Sequence, residues 1–154
     1  MTTSSLSNQP INQNLYETDF YIWIETTIKD LKDGNFTNLD RNNLIEELES
    51  MGRSEKREIK NRLIVLLTHL LKWNYQVEQR SQSWLNTIKE QRRQIIFLLE
   101  DSPSLKLYYQ SILTRCYDLA RQDAASETRL SLNTFPLESP FTEDEILTKD
   151  YLSD

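Results

Sequence analysis

The fold is decided by the stretch Ser54-Glu-Lys-Arg-Glu-Ile-Lys-Asn-Arg-Leu-Ile-Val-Leu-Leu-Thr-His-Leu-Leu-Lys-Trp73. Its apolar side chains recur at three- and four-residue spacing, which is typical of one face of an α-helix. They cover about half of the helix circumference, as expected of the central helix of a bundle. We therefore predict a long helix that begins at a Ser54 cap and ends near Gln79.

The composition of the chain also favours helices. Its 154 residues include only two glycines and four prolines, whereas hairpin-rich sheet proteins need glycine in their turns. The length suits one hydrophobic core and is too short for two. We predict an all-α fold, a single-domain bundle of about five main helices with a short C-terminal helix.

Apolar periodicity predicts the other helices on either side of the central stretch. The first runs over residues 15–32, and the second runs from an Asp40 cap to Gly52. The fourth begins at a Ser83 cap, and the fifth extends to about residue 130. Because the loops are short, neighbouring helices should be antiparallel.

Two polar segments flank the predicted bundle domain of residues 15–133. Residues 1–14 are rich in Ser, Thr, Asn and Gln, which predicts a disordered leader. Residues 134–154 form an acidic tail. Within this tail, Thr142-Glu-Asp-Glu145 has the sequence of a capping box and predicts one short helix.

The charge and the lone cysteine exclude several classes of protein. A net charge of −6 argues against the broad basic surface of a non-specific nucleic-acid binder. Cys116 has no second cysteine to pair with, so no disulfide framework is expected. The N-terminus lacks the features of a signal peptide, and no apolar run approaches the roughly 20 residues that cross a bilayer. We expect a cytoplasmic protein with no membrane association.

Six segments of the chain resemble one protein family. They are Tyr16-Glu-Thr-Asp-Phe-Tyr-Ile-Trp23, Leu39-Asp-Arg-Asn-Asn-Leu-Ile-Glu-Glu47, Met51-Gly-Arg-Ser-Glu55, Arg62-Leu-Ile-Val-Leu-Leu-Thr-His-Leu-Leu-Lys-Trp73, Arg80-Ser-Gln-Ser-Trp84 and Asp101-Ser-Pro-Ser-Leu105. The family is the uncharacterised, mainly cyanobacterial group catalogued as domain of unknown function twenty-nine. This resemblance implies an all-helical fold and lends no activity.

The most specific catalytic hypothesis concerns Arg62 and His69. They lie seven residues apart, which is about two helical turns, so both fall on nearly one line along the helix. The spacing resembles the loose Arg-x4-6-His pattern of HEPN ribonucleases, although Leu63 stands where those proteins usually have a polar residue. Such an enzyme would need no metal, because the histidine acts on the ribose 2′-hydroxyl and the arginine stabilises phosphate charge.

The alternative interpretation of the same residues is a structural polar network. Arg62 would pair with Glu55, Glu58 or a carboxylate of the second helix, and His69 would make a hydrogen bond at the core boundary. Arg92 falls close to an apolar stripe and would pair with a buried carboxylate. The candidate partners of Arg92 are Asp19 and Glu47.

Other sites have less support in the sequence. A bundle di-iron centre needs two Glu-x-x-His pairs, which one histidine cannot supply. A single mixed site of carboxylates and the imidazole is the less favoured alternative, and we predict no metal or other cofactor. The residues of that alternative site are Glu46, Glu47, Glu55, Glu58 and His69. Basic side chains near aromatic residues permit nucleic-acid contact as a less favoured alternative. The residues concerned are Lys72, Arg80, Lys89, Arg92 and Arg93, with Trp73, Tyr75 and Trp84.

The favoured function is therefore that of a small protein-interaction module. It would act through a protein partner or through self-association, using an exposed helix face and the acidic tail. The alternative is a metal-independent ribonuclease of the toxin-antitoxin type that uses Arg62 and His69. Whether the chain is an enzyme stays open at this point.

Overall fold

The structure of the chain, a computed structural model, describes residues 11–148, with side chains from residue 15 onward. In this part of the chain the regular structure consists of six α-helices and three short 3₁₀ helices. The all-α prediction is confirmed. The α-helices are α1 (Ile11–Thr18), α2 (Phe20–Lys32), α3 (Arg41–Tyr75), α4 (Gln82–Asp101), α5 (Lys106–Thr128) and α6 (Glu143–Leu147).

The chain divides into two compact units, residues 1–53 and residues 54–154. The domain limits expected at residues 14 and 133 stay predictions. Most of the expected leader and the last residues of the acidic tail lie outside the described residues. However, α1 already begins at Ile11, within the segment expected to be disordered.

In the first unit, Asp19 interrupts the single helix that was predicted over residues 15–32. Asp19 leaves the helical conformation, with φ −150° and ψ 86°, and its side chain accepts a hydrogen bond from the backbone N–H of Ile22 at 3.2 Å. An aspartate in this position satisfies one of the free N–H groups at the start of a helix. The chain therefore forms two helices, α1 and α2, where one was predicted.

The centre of the first unit is a hydrogen-bonded tryptophan. Trp23 is buried, and its indole Nε1 donates to Oδ2 of the fully buried Asp40 at 3.0 Å. The same oxygen accepts from Nδ2 of Asn43 at 2.8 Å. Because an unpaired buried carboxylate is costly, these two donors help to fix the start of α3 against α2.

The helix α3 is continuous from Arg41 to Tyr75, so the predicted break at Gly52 and the predicted cap at Ser54 are wrong. Gly52 does not adopt the positive φ that usually ends a helix at glycine. A glycine inside a helix costs only about 1 kcal/mol relative to alanine. The flanking residues favour helix, so the helix continues through Gly52.

The core of the second unit is built around the later part of α3. Side chains of α3 from Ile59 to Trp73 are buried at helical spacing, as predicted for a central helix. They pack with buried residues of α4, α5 and α6 and with the segment that precedes α6. The buried cluster consists of Ile59, Leu63, Leu66, Leu67, Leu70, Leu71, Trp73, Ile88, Ile95, Tyr109, Cys116, Tyr117, Ala120, Ala124, Phe135, Phe141 and Ile146.

Side-chain caps fix the starts of two later helices. Ser81, two residues before the predicted cap at Ser83, accepts a hydrogen bond from the N–H of Trp84 at 3.2 Å and begins α4. The short helix α6 is present as predicted. Its cap is Thr142, whose Oγ1 accepts from the N–H of Glu145 at 3.2 Å.

Candidate functional site

Arg62 is held by two partners in the second unit. Its Nε donates to Oε1 of Glu58 at 2.9 Å, and its Nη1 donates to Oε1 of Gln91 on α4 at 3.2 Å. Glu58 precedes Arg62 by one helical turn and was one of the predicted partners. The guanidinium thus links α3 to α4.

His69 lies half-buried on the same helix, and its contacts differ from those of Arg62. Its Nδ1 lies 2.8 Å from the carbonyl oxygen of Val65, so Nδ1 carries the proton and donates it to that carbonyl. Burial lowers the pKa of His69 below 6.5, and the hydrogen bond to Val65 partly offsets this effect. The imidazole is therefore neutral at pH 7, with Nε2 as its unprotonated nitrogen.

The described contacts do not bring Arg62 and His69 together in one cleft. Seven residues of helix separate their backbones by about 10 Å. An open hollow beside Arg62 is lined by Ser54, Arg57, Glu58, Asn61 and Arg62, and His69 is not part of it. Each of the two side chains is held by its own partners.

Lys72, a buried lysine near His69, has an anionic and an aromatic partner. Its ammonium lies 3.2 Å from Oε2 of Glu127 on α5 and 4.6 Å from the centroid of the Trp84 ring on α4. The carboxylate and the aromatic face both compensate the charge of this buried lysine. The Lys72 ammonium also lowers the pKa of His69, whereas Glu127 raises it, so the three groups are near neighbours. Glu127 was not identified from the sequence, because nothing in its local pattern marks it.

The remaining acidic residues of the predicted network occupy separate positions. Asp19 caps α2, as described above. Glu47 accepts a hydrogen bond from the hydroxyl of Tyr16 at 2.6 Å, which ties α1 to α3 within the first unit. Glu55 is exposed on α3. The structure therefore distributes these residues among several local contacts.

Arg92 donates hydrogen bonds to backbone carbonyls, which were not among its predicted partners. Its Nε donates to the carbonyl of Ile146 at 2.8 Å, and its Nη2 donates to the carbonyl of Glu145 at 2.7 Å. Carbonyls in the last turn of a helix lack partners within that helix, so a guanidinium suits them. The predicted pairing of Arg92 with Asp19 or Glu47 joins residues of different units and stays a prediction.

The cations considered for nucleic-acid contact are mostly engaged within the protein. Besides Lys72 and Arg92, Arg80 lies over the ring of Trp73 at 4.8 Å from its centroid, and Arg93 pairs with Glu90 at 2.8 Å. Lys89 is exposed. Of the five cations, Lys72, Arg80, Arg92 and Arg93 each have a described partner within the protein.

A cavity of about 360 Å³ lies beside α5 in the second unit. Its walls combine buried apolar side chains with the carboxylates of Asp118, Glu138 and Glu143. None of the site residues predicted from the sequence lines it. The lining residues are Leu67, Leu113, Thr114, Tyr117, Asp118, Leu137, Glu138, Ser139, Phe141, Glu143 and Ile146.

Two further properties of the described residues bear on function. Across residues 11–148, no helix has both the length and the apolarity needed to cross a membrane. In the same part of the chain, no group of three or more His, Cys, Asp or Glu side chains is placed to hold a metal ion.

Exposed apolar side chains on the first unit were not recognised from the sequence. We call them the N-terminal apolar stripes, which are Phe20, Ile28 and Leu31 on α2 and Ile45, Leu48 and Met51 on α3. Their exposed fractions range from 42% for Ile45 to 62% for Met51. The periodicity that predicts these helices does not tell whether their apolar faces are covered, because an apolar helix face is equally suited to a core and to a partner.

The fold and these contacts define an all-helical protein whose described residues include exposed apolar side chains and several separate ion pairs. The chain belongs to the family described as Domain of unknown function DUF29, whose profile matches residues 15–152. No curated protein and no solved structure matches the chain.

Proposed function

We propose that this chain is a protein-interaction module whose docking surface is the N-terminal apolar stripes. The carrying observation is the exposure of six large apolar side chains on α2 and α3. Among the described side chains of residues 15–53, Trp23 is the one hydrophobic residue that is fully buried. The first unit thus keeps most of its apolar side chains in contact with water.

Exposed apolar groups have a free-energy cost that a partner removes. Burying apolar surface contributes about 25 cal/mol per Å², and apolar patches on a protein surface mark sites of protein or ligand contact. An amphipathic helix typically binds a partner through apolar side chains at positions i, i+3, i+4 and i+7. Part of this pattern is present on both helices, since Ile45, Leu48 and Met51 recur every three residues on α3 and Ile28 and Leu31 are three residues apart on α2.

The test is affinity capture from cells of the source organism with three matched baits. The first bait is the unaltered chain, the second carries Leu48→Asp and Met51→Asp, and the third carries Leu107→Asp. Leu107 is 76% exposed on α5, so the third bait adds a charge at an exposed site outside the stripes. We expect a protein retained by the first and third baits and lost from the second.

Two outcomes would count against this function. One is a set of captured proteins that is identical for all three baits. The other is capture that Leu107→Asp removes as well, since the docking surface would then not be the stripes. Circular dichroism of each bait checks that the helices remain folded.

The ribonuclease hypothesis has one favourable observation, the neutral imidazole of His69 with an unprotonated Nε2, which is the form that a general base requires. However, the described contacts of Arg62 are with Glu58 and Gln91, and they do not bring its guanidinium to His69. We therefore expect that purified chain, freed of contaminating nuclease, does not cleave RNA. Under this expectation His69→Ala lowers the free energy of unfolding by roughly 1 kcal/mol and removes no activity. Cleavage that needs both Arg62 and His69 would establish the enzyme instead.

A further inference from the structure

The first unit carries a net negative charge, as does the acidic tail at the end of the second unit. Residues 15–53 contain nine acidic side chains and four basic ones. Residues 54–148 contain thirteen of each. Within the described side chains, the whole excess of negative charge therefore belongs to the unit that carries the N-terminal apolar stripes.

Acidic residues are interspersed with the stripes along the two helices. On α2, Glu25 lies three residues before Ile28 and is exposed. On α3, Glu49 follows Leu48, and its side chain is 61% exposed. Its contact with Arg53, at 3.9 Å, is that of a loose surface pair. Carboxylates thus border apolar side chains on both helices.

We propose that the partner segment is a basic amphipathic helix. This inference rests on the proposed function and adds the chemistry of the partner to it. The apolar face of such a helix would cover the stripes, and its Lys and Arg side chains would face Glu25 and Glu49. A helix of this kind gains from both apolar burial and charge complementarity.

The same charges disfavour a second copy of this chain as the occupant. Two first units would bring like charges together around the stripes, and like-charge contacts across an interface oppose association. A neutral apolar segment would gain burial but no electrostatic attraction. The basic amphipathic helix is the one of these three occupants that both properties of the surface favour.

The probe for the test is a labelled synthetic peptide of roughly 20 residues made of Leu, Ala and Lys in a helical apolar pattern. A matched peptide has Glu in place of every Lys. Fluorescence anisotropy measures binding of each peptide to the full chain at low salt. We expect the Lys peptide to bind at least tenfold more tightly than the Glu peptide, with affinity that falls as salt is added.

Two charge variants separate local recognition from overall charge. Glu25→Lys combined with Glu49→Lys alters the stripes, whereas Glu78→Lys combined with Glu100→Lys makes the same charge change at exposed positions of the second unit. We expect the first pair to weaken binding of the Lys peptide about tenfold and the second pair to change it less than twofold. Leu48→Asn, which removes apolar contact without adding charge, should also weaken binding.

Three results would overturn the proposal. They are equal weakening by both charge pairs, no preference for the Lys peptide, and a Lys-peptide affinity that Leu48→Asn leaves unchanged. A dimer in light scattering that Leu48→Asp dissociates would identify a second copy as the occupant and would likewise overturn it. If the capture experiment succeeds but the Lys peptide does not bind, the interaction function is supported and the proposal of a basic partner is wrong.

Discussion

At the scale of single residues, His69 shows how a helix can hold an imidazole at the core boundary through local contacts. The ring donates from Nδ1 to the carbonyl of Val65 one turn earlier, at 2.8 Å. Partial burial disfavours the charged form. The neighbouring Lys72 and Glu127 act on the imidazole in opposite directions. A neutral, locally bonded ring at the core boundary follows from these contacts.

Because His69 is the only histidine of the chain, its titration can be followed without assignment. We expect NMR to give a pKa below 6.5 in the folded chain. The unfolded chain then binds more protons just below pH 6.5, so the free energy of unfolding falls as the pH is lowered through this value. In His69→Asn this part of the pH dependence should disappear. A pKa above 6.5 would contradict the contacts described for the ring.

At the scale of elements, the continuity of α3 is the feature on which sequence and structure differ most. The predicted break depended on reading Gly52 as a helix end. In the structure Gly52 is helical, and a Cβ added to it would have no heavy-atom neighbour within 4 Å. Gly34, just after the end of α2, has φ +69°, the left-handed conformation that glycine commonly adopts at the end of a helix.

These two glycines supply a matched prediction. Gly52→Ala should raise the free energy of unfolding by about 1 kcal/mol, because alanine favours the helix and its methyl group meets no obstacle. Gly34→Ala should lower it by about 1 kcal/mol, because a positive φ strains any side chain. Denaturant titration measures both. A loss of stability in Gly52→Ala would mean that α3 ends at Gly52.

Local contacts were predictable from the sequence, whereas distant ones were not. Arg62 and Glu58 lie four residues apart on one helix, so their pairing follows from helix geometry. Aspartate is favoured at the N-cap of a helix, so a cap at Asp19 could also have been predicted. The apolar periodicity, however, continues across Asp19 and favoured a single helix. Arg92 meets carbonyls more than fifty residues later in the chain. Which distant element packs on a given arginine is set by the tertiary fold.

At the scale of the whole molecule, the two units differ in how they use apolar residues. The second unit buries a large cluster around α3, and the first leaves most of its apolar side chains exposed. Periodicity predicts the helices of both units equally well. It does not reveal which apolar face is covered within the chain, because the same pattern serves a core and a docking surface.

Truncation of a core residue tests the architecture of the second unit. Leu66 is fully buried on α3, so Leu66→Ala should lower the free energy of unfolding by roughly 2 to 5 kcal/mol. Leu107→Ala, at an exposed site on α5, should change it by less than about 0.5 kcal/mol. Denaturant titration compares the two variants. Equal effects would mean that α3 is not the centre of this core.

The most direct test of the docking surface is site-specific photo-crosslinking inside cells of the source organism. A photoreactive amino acid is placed at position 48 on α3 in one variant and at position 107 on α5 in another; both positions are exposed. The proposed function predicts a crosslinked product of defined mass from position 48 and none from position 107. No product from position 48, or the same product from both positions, would contradict it.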